Sequence, residues 1–185
     1  MTVQTATAPG QRADVRLVVD DGPGSEGHVP GADTLGIPLA RTGLVLVGPP
    51  GAEPAPSLAA ALARATTVGV AEAAPSGRLA RRALEAAGLW DGLTGRVVRV
   101  PTTQAALDSV SARAAEVAFA LAADALSSTA YAVVYRLSDA EAAPVTVTGS
   151  VRPGATPEAQ TFLDALAAPT AFRAWAAAGF RPPPR

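Results

Sequence analysis

Short β-branched runs alternate along the chain with alanine-rich stretches of helical period. The strand candidates are Val15–Val19, Leu44–Val47, Val68–Val70, Val97–Val100, Val117–Ala120, Ala132–Tyr135 and Val145–Val147, each bounded by turn formers or polar residues. Leu58, Ala61, Leu62 and Ala65 fall at i, i+3, i+4, i+7 behind a Ser57 cap, and Ala80, Ala83, Leu84 and Ala87 repeat that spacing before Gly88. Leu107, Val110 and Ala114 follow a cap at Thr102 or Thr103. Near the end, Thr156-Pro157-Glu158 reads as N-cap, N1 proline and dipole-matched acid ahead of a buried stripe of Ala159, Phe162, Leu163 and Leu166. Pro169 then restarts a last helix carrying Phe172, Trp175 and Ala176 up to Gly179. Strand and helix in alternation predict an α/β fold with a largely parallel sheet covered by helices. Asp20 to Pro38, rich in Gly, Pro and Asp, and the tail Arg181 to Arg185 read as loop or frayed end.

With 185 residues and 49% hydrophobic content, the chain is long and apolar enough to bury a core. Fifteen basic residues, all Arg, stand against sixteen acidic ones, so the net charge of −1 excludes a protein that grips nucleic acid mainly by charge. The 44 alanines and the absence of lysine reflect a GC-rich coding bias rather than a function. No cysteine is present, which removes disulfides, thiolate metal sites and cysteine nucleophiles. Met1 to Asp14 shows no basic cluster ahead of an apolar run, so the sequence as written predicts a cytoplasmic protein, or a periplasmic one if a leader has been removed. Its apolar stretches are too short for a membrane span.

Candidate catalytic chemistry is sparse. His28 is the one histidine and lies near Asp20, Asp21, Glu26 and Asp33, but no spacing among them fixes a coordination geometry, so they read as a solvated acidic loop and no metal is expected. Gly48-Pro49-Pro50-Gly51 follows a strand yet lacks the Lys and Ser/Thr of a P-loop, and its prolines remove amides that a phosphate would need. No Gly-x-Ser-x-Gly elbow occurs, and without a visible base the chain reads as a non-enzyme with no cofactor. Arg78, Arg81 and Arg82 read as an exposed helix face, and Trp90, Phe172 and Trp175 as core or interface anchors.

From Arg41 onward the order of segments resembles the molybdate-binding proteins of ABC importers, which are two-lobed periplasmic solute-binding proteins. The residues that carry the resemblance are Arg41-Thr42-Gly43-Leu44-Val45-Leu46-Val47, the run Val68-Gly69-Val70-Ala71-Glu72, and Pro75-Ser76-Gly77-Arg78 opening a helix that ends Leu84-Glu85-Ala86-Ala87-Gly88-Leu89-Trp90. Gln104-Ala105-Ala106-Leu107, Glu116-Val117-Ala118-Phe119-Ala120 with Asp124-Ala125-Leu126, Pro157-Glu158-Ala159-Gln160 with Phe162-Leu163, and Gly179-Phe180 follow in the family's order. Ala13-Asp14-Val15 resembles the family's third strand. On that resemblance, residues 1–66 and 143–185 form an incomplete first lobe and residues 67–142 the second lobe.

The resemblance implies a tetrahedral oxyanion held between lobes by hydroxyls and by backbone amides at helix N-termini, whose dipoles favour an anion. Carried onto this sequence, one helix start falls on Ser76 with Gly77 beside it, and the other on Thr103. The family's tyrosine hydroxyl falls on Leu121, which cannot donate, and the two serine contacts from the family's first helix and second strand have no counterpart. The expected ligand is therefore a molybdate- or tungstate-type oxyanion, bound weakly. The alternative is a ligand-free degenerate homologue that acts as an interaction or scaffold subunit. The incompleteness of the first lobe predicts an open strand edge and a bare apolar face there, covered by a second copy or another protein.

Overall fold

The computed structural model describes residues 3–5, 14–20, 36–126 and 128–183. In chain order its elements begin β1 (Val3–Thr5), β2 (Val15–Asp20), β3 (Ile37–Thr42), β4 (Leu44–Gly48), α1 (Leu58–Arg64), β5 (Val68–Val70) and α2 (Pro75–Ala86). A 3-10 segment at Asp91–Arg96 leads to β6 (Val97–Arg99), α3 (Thr103–Ser111), β7 (Val117–Leu121), α4 (Ala122–Leu126), β8 (Ala132–Arg136) and β9 (Val145–Val151). After α5 (Pro157–Ala167), a 3-10 turn at Pro169–Ala171 enters α6 (Phe172–Ala177). The chain divides into two compact units, Met1–Arg41 with Val145–Arg185, and Thr42–Pro144.

The first unit is a four-stranded sheet in the order β1-β2-β9-β3. β9 runs antiparallel to β2 with Val15 opposite Val151, and β1 lies parallel to β2 with Val3 opposite Val15. Alternation along the strands sends Val15, Leu17 and Leu39 to one face, where α5 contributes Ala159 and Leu163 and the partly buried Phe162, Leu166 and Trp175 complete the cluster. Gly149 permits that packing, because a Cβ there would lie 2.4 Å from a methyl of Leu163. Trp175 donates its Nε1–H to Leu166 O at 3.1 Å and meets Phe180 edge to face with ring centroids 5.3 Å apart. Gly179, with φ at +81°, makes the left-handed turn that brings Phe180 back onto Trp175.

The second unit is a five-stranded sheet in the order β6-β5-β7-β4-β8. Its inner strands β5 and β7 run parallel, as do β5 and β6, while β4 pairs antiparallel with both β7 and β8. The expected parallel strand–helix repeat is therefore present, joined to antiparallel strands at one side of the sheet. Val45, Val47, Ala118 and Ala120 face α3 and α4, against Ala106, Leu107, Val110, Ala122 and Ala125. The alternate residues Leu46 and Phe119 point the other way and are fully buried too. Ser57 caps α1 as its spacing predicts, with its Oγ accepting from Ala60 N at 3.1 Å.

Several sequence expectations change. Residues 42–66, placed in the first lobe by resemblance, lie in the second unit, where Leu44–Val47 pairs with β7 and β8. β3 occupies the end of the stretch read as loop, and Arg181 of the expected frayed tail forms a bridge with Arg41, with Arg181 N donating to Arg41 O at 2.7 Å. β1 lines the β2 edge along Val15–Leu17, so that part of the edge is not open. The face of β2 and β9 away from α5 carries Arg16, Val18, Thr146, Thr148 and Ser150, a largely polar set where an apolar face was expected. His28, with Asp21, Glu26 and Asp33, lies outside the described residues, as does Ala13. Among the described residues no acidic or histidine group is arranged to hold a metal ion, and no helix is long and apolar enough to cross a membrane.

Candidate functional site

Ser76 and Thr103 are brought together within the second unit, their hydroxyl oxygens 2.8 Å apart. Each arrives on the first turn of a helix that follows a strand of the same sheet. Pro75 starts α2, where the missing N–H costs nothing and the ring's fixed φ suits the helix. Ser76 comes next and is fully buried. Gly77 lets this turn close against the end of β5: a Cβ on it would sit 2.0 Å from Ala71 O, an approach no side chain tolerates. In the second helix Thr102 is the cap, with its Oγ1 accepting from Ala105 N at 3.1 Å, and this leaves the Thr103 hydroxyl for Ser76.

The two loops are also tied below the hydroxyl pair. Val100 N donates to Val70 O at 3.1 Å, continuing the β5–β6 pairing by one residue. Arg99 Nε lies 3.1 Å from Glu72 Oε1 across the two loops, and within the loop from β5 to α2 Arg78 Nη1 donates to Ala73 O at 2.6 Å. Neither of these ties was singled out from sequence. A signal for the first exists, because Glu72 follows one strand and Arg99 ends its parallel neighbour, but it needs the strand pairing to be recognised.

Leu121 is the last residue of β7 and lies opposite Leu44. Because β5 and β7 are parallel, it ends at the same side of the sheet from which the loops to Ser76 and Thr103 depart. Its side chain is half-buried and offers no hydrogen bond. Just beyond it, Ala122 N donates to Gly43 O at 2.8 Å and Ala123 N to Thr42 Oγ1 at 3.1 Å, fixing the start of α4. Burial pushes the Asp124 carboxyl above its ordinary range.

This arrangement suits an anion. First-turn amides of an α-helix lack intrahelical acceptors, and the dipole adds partial positive charge at that end. Two such ends converge on one pair of hydroxyls. In a Ser–Thr hydroxyl pair one proton is used in the mutual bond, and the accepting hydroxyl keeps its own proton for an outside acceptor. The carboxylate of Glu72, held by Arg99, is not an unbalanced negative charge beside the loops.

Solved structures share the fold. The substrate binding domain assigned to a molybdenum ABC transporter of Clostridium difficile superposes with a TM-score of 0.75 at 20% identity, over 95% of this chain and 79% of that one. The periplasmic molybdate-binding protein of Azotobacter vinelandii gives 0.69 at 20% identity, over 95% and 80%. PEB3, a Campylobacter jejuni protein, in its L-phospholactate-bound form gives 0.67 at 14% identity, over 82% and 71%. Among curated proteins no sequence matches. Residues 5–181 match the bacterial extracellular solute-binding protein family, and the chain belongs to that family.

Proposed function

We propose that the chain binds a tetrahedral oxyanion of the molybdate or tungstate type, as the solute-binding component of an ABC importer, and binds it weakly. The observation that carries this reading is the pair of helix starts converging on the Ser76 and Thr103 hydroxyls, whose oxygens lie 2.8 Å apart. The molybdenum-transporter domain and the molybdate-binding protein that share this fold support it. Weakness follows from Leu121, which removes the donor that the resembling family places there. A hydrogen bond to a charged group contributes about 1.5–3 kcal/mol, so the loss of one alone lowers affinity by roughly one to two orders of magnitude.

Calorimetric titration of the purified chain with molybdate, tungstate and sulfate tests the proposal. Saturable binding of molybdate or tungstate, weakened by Ser76→Ala and by Thr103→Val, is the expected result. Absence of saturable binding to all three sinks it. The second reading, a ligand-free homologue that serves as an interaction subunit covered by a second copy or another protein, takes its support from Leu121 and from the full burial of Ser76. It predicts no oxyanion heat together with self-association or partner capture.

A further inference from the structure

We propose that the second unit carries a separate groove for a small zwitterion with an apolar body, an apolar amino acid or a short peptide of such residues. The groove has a volume of about 660 Å³, within the range of small-molecule sites, and its floor is apolar, including Ala61, Val110, Val117 and Val134. It lies at the opposite end of the sheet from Ser76 and Thr103. Val117 begins β7 and Ala65 precedes β5, whereas the loops to the two hydroxyl residues leave from the far ends of the parallel strands. At about 3.3 Å per residue, β7 alone separates the two places by roughly 13 Å.

The rim supplies charge of both signs. Arg64 and Arg113 line the groove, and among the described residues neither guanidinium has a hydrogen bond or an ion pair. Glu53 is a free carboxylate on the same rim. Glu116 is already committed, its two oxygens accepting from Thr66 N at 2.7 Å and Thr66 Oγ1 at 3.0 Å. Two exposed guanidiniums and one exposed carboxylate, none with a protein partner, stand around an apolar floor and match a ligand with a carboxylate, an ammonium and a hydrocarbon body. A polyanion would face the carboxylates of Glu53 and Glu116, and a neutral apolar molecule would use none of the three charges.

The two arginines are not needed to close the helices on which they stand. Arg96 Nη1 already satisfies the α1 end, donating to Leu62 O at 3.1 Å and Ala65 O at 2.6 Å. The α3 end closes through its own backbone, Arg113 N to Val110 O at 3.0 Å and Ala114 N to Ser109 O at 2.8 Å. That closure needs a left-handed residue. The corresponding positions after α2 and α6 are Gly88 at φ +67° and Gly179 at φ +81°, but after α3 it is Arg113 at φ +57°, the one non-glycine residue with positive φ among those described. An arginine in a conformation that favours glycine places a guanidinium on the groove at the expense of backbone ease, and such outliers point to a use for the side chain.

The test uses L-leucine and L-leucyl-L-leucine as zwitterions, with isovalerate lacking the ammonium and isoamylamine lacking the carboxylate, each titrated by calorimetry. At least one zwitterion is expected to bind saturably at millimolar concentration, with the single-charge analogues at least tenfold weaker. Arg113→Gly should weaken binding at least tenfold while the melting temperature holds or rises, and Glu53→Gln should erase the advantage of leucine over isovalerate. Ser76→Ala should leave this binding unchanged, so the outcome is independent of the oxyanion reading. Lack of binding by both zwitterions, equal binding of isovalerate, or full affinity in Arg113→Gly would overturn the proposal.

Discussion

Arg99 at the end of β6 and Glu72 beyond the end of β5 meet at 3.1 Å, joining the two loops that deliver Thr103 and Ser76. The side chains retain 53% and 35% of their exposure, so water and salt screen the pair. Arg99→Gln is expected to cost no more than about 1 kcal/mol. Arg99→Glu should cost more, because it places like charges together, and its deficit should shrink as salt rises. Thermal unfolding at low and high ionic strength checks both. A deficit in Arg99→Glu that does not respond to salt would show that charge is not what joins the loops.

Gly77 and Gly88 separate two reasons for a glycine on one helix. At Gly77 the obstacle is space, since an added Cβ would collide with the Ala71 carbonyl at 2.0 Å. Relief requires moving the first turn of α2 away from β5, so Gly77→Ala should destabilise by about 3 kcal/mol, the upper part of the range for overpacking. At Gly88 nothing lies within 4 Å of the added atom, but φ is +67°. Gly88→Ala should therefore cost about 1–2 kcal/mol, the left-handed penalty alone. Urea unfolding of the two variants measures the difference, and Gly77→Ala should also loosen the Ser76–Thr103 pair.

Most elements of the second unit are legible in the sequence because β-branched runs and capped helices state themselves locally. Val68–Val70 coincides with β5, and Ser57 caps α1 as its spacing predicts. β3 is hidden because Ile37-Pro38-Leu39 follows a Gly/Pro-rich stretch and a proline argues against a strand; at a sheet edge the missing N–H is tolerated. β1 is three residues of mostly polar character and has no pattern of its own. The assignment of residues 42–66 to the first lobe fails for a different reason: nothing local in Leu44–Val47 says that it pairs with β7 and β8. Likewise the helix starts at Ser76 and Thr103 are readable as starts, but their hydroxyl bond depends on β5 and β6 lying side by side.

Leu121→Tyr restores a hydroxyl where the resembling family has one. Leu121 is half-buried at the end of β7, so the larger ring has partial access to solvent rather than a closed core to enter. If the proposed oxyanion site is right, molybdate affinity should rise by about tenfold or more, the worth of one hydrogen bond to a charged acceptor. Leu121→Phe supplies the ring without the hydroxyl and should leave affinity near that of the parent. Calorimetry of the two variants side by side isolates the hydroxyl, and equal affinities would remove Leu121 from the ligand site.

Glu141 and Tyr135 predict a pH dependence with two flanks. Glu141 Oε2 accepts from Ser138 N at 2.8 Å and Ser138 Oγ at 2.7 Å, and its Oε1 accepts from the Tyr135 hydroxyl at 2.8 Å. Those bonds, the Ser138 amide first, hold the Glu141 carboxyl below the usual glutamate range. The same carboxylate, chiefly through its hydrogen bond, raises the Tyr135 phenol above its ordinary value. A depressed acid contributes stability that is present above its unfolded pKa, about 4.3, and is lost as pH falls through the lower folded value. A raised phenol contributes stability that is present below its unfolded pKa, about 10, and is lost as pH rises through the higher folded value. Glu141→Gln should therefore be less stable than the parent at neutral pH, with the difference narrowing on both the acid and the alkaline side. Tyr135→Phe should abolish the alkaline flank, while the Ser138 bonds preserve most of the acid one. Urea midpoints across a pH series read both flanks, and an alkaline flank that survives in Tyr135→Phe would disprove the assignment.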